Sequence, residues 1–113
     1  MNNPLDGSKY FHVYKTGRLT IIGFDGRHLQ EFGSSQDICG ELLHLVEHHD
    51  CEVLVVDMME VPIVSSWVLG ILAAVQRNGI DIELYHPSEE LREVLRVTNL
   101  AKCLHVREGF GPG

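Results

Sequence analysis

The chain has 113 residues, 44% hydrophobic and 22% charged, with a net charge of −7 and a pI near 5.4. That length suits one domain with an ordinary core, held together without metals or disulfides. The acidic balance argues against a nucleic-acid partner, which would require a basic patch.

Residues 1–9 are polar, with Pro4 and Gly7, and read as a flexible N-terminal tail. They contain no apolar signal segment. No apolar run in the chain approaches a bilayer span, so no membrane contact is expected and the cytoplasm is the expected location. Residues 10–15 alternate, with Phe11 and Val13 on one side and His12 and Tyr14 on the other. This predicts a half-buried strand. Thr16, Gly17 and Arg18 make a tight turn into a second strand over 19–24, giving an antiparallel hairpin. After an irregular stretch, Ser34 or Ser35 is the expected cap of a helix over 37–49. Its stripe of Ile38, Leu42, Leu45 and Val46 faces a core, and Glu41, His44, Glu47 and His48 face solvent.

Residues 53–56, V-L-V-V, form an unbroken β-branched run of the kind found in a central strand covered on both faces. The run ends at Asp57. A short connection through Pro62 leads to Ser65 and Ser66, which open a helix over 67–77 closed by Asn78 and Gly79. In open α/β sheets, sites gather at the carboxyl ends of strands, which directs attention to the two serines. The helix, W-V-L-G-I-L-A-A-V, is apolar all round. Either neighbouring helices hide it or it offers a surface to a partner. Ser65 likewise has two readings. One is a helix cap, worth about 1 kcal/mol. The other is a phosphorylation site at the positive end of a helix, beside apolar surface.

Ile80, Ile82 and Leu84 alternate with Asp81, Glu83 and Tyr85, predicting a strand with one wet face. His86, Pro87 and Ser88 break it. A third helix over 89–98 carries acids in its first turn and buries Leu91, Val94 and Leu95. A short last strand is expected over 104–106, and residues 109–113 read as a C-terminal tail. The domain therefore spans 10–108. It is an α/β fold, with a mixed central sheet, an antiparallel N-terminal hairpin and three to four helices.

Three cysteines, Cys39, Cys51 and Cys103, are odd in number and widely spaced. They suggest neither a disulfide framework nor a zinc ribbon and are read as reduced. His44 and His48 share a helix face, but two ligands do not make a zinc site, so no metal is expected. A hydrolase built on Ser65 and Asp57 lacks a G-x-S-x-G elbow and a histidine with an assigned place. The glycines form no phosphate-cradling loop, and no cofactor is expected.

From L-V-V-D-M-M-E-V-P-I-V-S-S-W-V-L-G-I-L to I-E-L-Y-H-P-S-E-E-L-R-E-V-L-R-V-T-N-L, the chain resembles the STAS domain of bacterial anti-sigma factor antagonists. There an apolar strand ending in Asp leads through a loop to D-S-S-G-L-G-x-x-L. A strand ending near N-P-S and a leucine-bearing helix come next. The resemblance implies a binding module rather than an enzyme. Its partner would be an anti-sigma factor, often a serine kinase, and phosphorylation of the first serine would abolish binding. That position is Ser65, with Ser66 the lesser candidate. Asp57, Val64, Ser65, Ser66, Trp67, Val68 and Ile71 are the expected partner-binding residues, and a homodimer through the same helix is the competing arrangement. Two departures stand out. Val64 replaces the family's acid and Trp67 its glycine. The tryptophan can obstruct a kinase or anchor an interface, since Trp is enriched at binding hot spots.

Overall fold

The computed structural model describes residues 10–26, 29 and 35–107. Both expected tails, and Ser34 as a cap, lie outside those residues. Within them, five strands form one sheet in the order β1-β2-β3-β4-β5: β1 Phe11–Lys15, β2 Leu19–Phe24, β3 Val53–Asp57, β4 Asp81–Tyr85 and β5 Leu104–Arg107. The β1–β2 pair is antiparallel and the other three pairs are parallel. The helices are α1 Ser35–His48, α2 Val68–Gln76 and α3 Glu89–Val97. This is the expected mixed α/β architecture, with boundaries shifted by a residue or two.

The strand order explains the layering. Strands β2 to β5 follow one another across the sheet in chain order. Right-handed crossovers all running the same way place α1, α2 and α3 on one face. Register agrees with this. Ile22, Val56 and Leu84 lie side by side, as do Thr20, Leu54 and Ile82, and all are buried. They face Ile38, Leu42, Leu45 and Val46 from α1, the apolar residues of α2, and Leu91 and Leu95 from α3. Val94 packs at the margin of this core. Val55 points to the opposite face, between Ile21 and Glu83 in register, and stands outside the helix-side core. On that second face Val55 is buried and Val53 half-buried, while the described helices cover only the first.

Local chemistry fixes the ends of the elements. Gly17 takes φ +123° in the hairpin turn, and Gly79 takes φ +91° just beyond α2. Both are conformations that a side chain resists. Asn78 adds a side-chain hydrogen bond to the Ala74 carbonyl at 3.1 Å. Ser88 caps α3, its hydroxyl accepting the Leu91 N–H at 3.1 Å, and Glu89 and Glu90 occupy the first turn. Asn99, in the left-handed region, turns the chain into a 3-10 turn, Leu100–Lys102, that leads to β5.

The all-apolar α2 is accounted for by its position. Val68, Leu69, Ile71, Leu72, Ala73 and Val75 are buried. The helix touches α1 on one flank and β4, β5 and the Leu100–Lys102 turn on the other. Of the two readings of this helix, cover by its own chain is the one observed.

Candidate functional site

The parallel strands deliver their carboxyl ends to one edge of the sheet, where Asp57 closes β3. Its carboxylate does two things there. Oδ1 accepts the Met59 N–H at 3.0 Å, starting the turn out of the strand, and meets His86 Nδ1 at 3.2 Å. His86 follows β4 in the left-handed region, φ 61°, which swings its ring toward the neighbouring strand end. Both side chains are half-exposed. The Met58 N–H donates to the Tyr85 carbonyl at 2.7 Å, so the ends of β3 and β4 are joined by backbone and side chain alike. His86 was not picked out from the sequence. Asp57 and His86 are separated by 29 positions, and only the β3–β4 register brings them together.

Between Asp57 and α2 the chain forms a loop. Met58 and Val61 are buried anchors. Gly26, beyond β2, lies so close to this loop that a Cβ there would fall 2.1 Å from the Glu60 carbonyl oxygen. That close approach is the structural role of the glycine in F-D-G-R. Pro62, extended at φ −78° and ψ 162°, then starts a 3-10 turn, Ile63–Ser65. The Ser65 and Ser66 N–H groups donate to Pro62 and Ile63 carbonyls at 2.9 and 3.0 Å, so both bonds close within the segment.

The serines are not where a capping role would put them. The residue capping α2 is Trp67, with no side-chain cap hydrogen bond, and the 3-10 turn has none either. Ser65 is 1% exposed, its hydroxyl sealed inside. Among the described residues no hydrogen bond reaches that hydroxyl. Ser66 is only partly buried. The helix-cap reading of Ser65 is therefore corrected: the turn that follows Pro62 delays the helix and turns Ser65 inward.

What the loop exposes instead is apolar. Met59 is 66% exposed, Val64 70%, and Ile63 and Trp67 37% each. These four side chains follow closely in sequence, and apolar surface marks interaction sites where it is contiguous. Of the expected partner-binding residues, Val64 and Trp67 lie on this surface, with Asp57 at its base. Val68 and Ile71 do not, because both are buried against the core. The exposed apolar side chains are thus on the loop, not on the flank of the helix.

Other candidates resolve differently. His44 and His48 stack at 5.6 Å between ring centroids, and His49 meets His48 edge-on at 4.8 Å. They border a groove of about 570 Å³ between α1 and β1, floored by Phe11, Val13 and Leu45. Among the described residues no group of three or more His, Cys, Asp or Glu could hold a metal. All three cysteines are free thiols, and burial pushes the Cys51 thiol up from its ordinary range. No helix of the described residues is long and apolar enough to cross a membrane.

Comparison with known proteins agrees with the geometry. No curated protein matches the chain. The structure resembles the solution structure of the protein TM1081, with a TM-score of 0.54 at 16% identity, covering 96% of this chain and 90% of that one. At that identity the likeness speaks for the fold alone. The model of the STAS domain family matches residues 10–110, a range that contains every described residue. This chain belongs to the STAS domain family.

Proposed function

We propose that this chain is a non-enzymatic regulatory module, an anti-sigma factor antagonist that docks on an anti-sigma factor of the serine-kinase type. The observation that carries the reading is the run of exposed Met59, Ile63, Val64 and Trp67 at the carboxyl edge of the sheet. It coincides with the loop that bears the family's serine pair. An apolar patch around one tryptophan has the character of a binding hot spot rather than of a catalytic centre. In this reading Ser65 is the regulatory acceptor, and phosphorylation there ends docking. A phosphoryl group adds about −1.5 to −2 charges and cannot be held in a sealed, apolar site without a partner cation. No cofactor is required.

Burial of Ser65 supports a second reading: a scaffold or self-associating module that uses the same loop without phosphorylation. Capture from an extract of the source organism with wild type and Ser65→Glu separates the two. The first reading expects a kinase-type anti-sigma factor on the wild type, lost from the acidic variant, and phosphate on Ser65 by mass spectrometry. A variant that retains every partner eliminates the switch. A dimer that forms regardless of the substitution and takes no phosphate establishes the scaffold.

A further inference from the structure

The loop between β3 and α2 combines two features that oppose each other. Its outer side carries Ile63, Val64 and Trp67 into solvent, while its inner side buries a hydroxyl that no hydrogen bond reaches among the described residues. A buried, unpaired polar group loses its water contacts without compensation, so it favours any state that returns it to water. The segment is tied to the helix after it by two backbone hydrogen bonds, from the Leu69 and Gly70 N–H groups to the Ser66 and Trp67 carbonyls at 2.9 and 3.1 Å, and by no side-chain cap. The Ser65 and Ser66 N–H groups bond only to Pro62 and Ile63. Firm anchors lie on either side. Toward the N-terminus, Glu60 sits against Gly26, and Met58 donates to Tyr85. Toward the C-terminus, Val68 and Leu69 are fully buried.

We infer that residues 62–67 open as a unit well below the free energy of global unfolding, and that the Ser65 hydroxyl is reachable only in that open state. The closed state presents the apolar patch and hides the hydroxyl. The open state does the reverse. Docking on the closed patch and modification of Ser65 are then mutually exclusive, and each ligand of one state weakens access to the other by the same factor. A phosphoryl group on Ser65 acts by keeping the segment from closing, which dismantles the patch rather than decorating it. This consequence rests on the proposed phosphorylation of Ser65; the opening itself does not.

Native-state hydrogen exchange of the whole chain, followed residue by residue in low urea, tests the opening. The amides at positions 65 and 66 should exchange about a hundredfold or more faster than those of β3 and β4, with a shallower urea dependence, because a short segment exposes little surface. Ser65→Ala, which removes the unpaired hydroxyl, should slow the loop amides about fivefold. A Ser65→Cys thiol should react with a labelling reagent at the opening-limited rate of the loop amides. Loop amides that share the rate and urea slope of the strands overturn the proposal. So does a thiol at that position as reactive as one in an unfolded peptide. The exchange readout needs no kinase. A chain that opens locally but receives no phosphate at Ser65 counts against the switch, not against the opening.

Discussion

Replacing Ser65 with alanine separates two roles for its hydroxyl that predict opposite signs. As a helix cap, the hydroxyl would stabilise the fold, and its loss would cost about 1 kcal/mol. In the structure it is buried and has no hydrogen bond among the described residues. A buried unpaired hydroxyl costs about 1–3 kcal/mol in lost hydration. Deleting one oxygen leaves a void smaller than a methyl group, which returns up to about 1 kcal/mol of that gain. The net expectation is that Ser65→Ala is stabilising by about 1 kcal/mol. For a domain of this size that raises the melting temperature by about 4 °C or more. Urea unfolding with an unchanged m-value is the assay. Ser88→Ala is the internal control. Its hydroxyl accepts the Leu91 N–H at 3.1 Å, so its loss should cost about 1 kcal/mol. If Ser65→Ala destabilises as much as Ser88→Ala, the hydroxyl has a partner and the reasoning fails.

Four other outcomes follow from particular contacts. Gly26→Ala places a Cβ at 2.1 Å from the Glu60 oxygen, forcing backbone apart, and should cost about 2 kcal/mol or more by calorimetry. Leu72→Ala empties a fully buried position and should cost about 2–5 kcal/mol in urea unfolding. Val64→Glu, on the exposed patch, should leave stability within about 0.5 kcal/mol in the same assay. The Cys51 thiol is held above its ordinary pKa chiefly by burial, so the folded state binds its proton more tightly than the unfolded state. Its contribution to stability is therefore complete below the unfolded value, near 9.0, and declines as pH rises through the folded value. Unfolding followed from neutral to strongly alkaline pH should lose a pH-dependent component in Cys51→Ala.

Much of the fold was legible because its signals are local. The alternation in β1 and β4, the stripe Ile38–Leu42–Leu45–Val46 and the left-handed Gly79 each fix an element from its own residues. The two serines misled for an equally local reason. A serine pair before an apolar run reads as a cap, but Pro62 inserts a 3-10 turn, and α2 begins at Val68, with Ser65 already turned inward. The all-apolar α2 was ambiguous because its cover comes from α1, β5 and the Leu100–Lys102 turn, all distant in sequence. The Asp57–His86 pair was illegible for the same reason, since it exists only through the β3–β4 register.

The central claim is that the loop's apolar side chains form the docking surface. The direct measurement is a calorimetric titration of each serine-kinase anti-sigma factor of the source organism. It is run against the wild type and a Val64→Glu, Trp67→Ala variant of matched thermal stability. One of those factors should bind the wild type, and the variant should bind it at least about thirtyfold more weakly, as expected for loss of a tryptophan hot spot. Equal affinity for both chains, or no binding by any factor, would contradict the account.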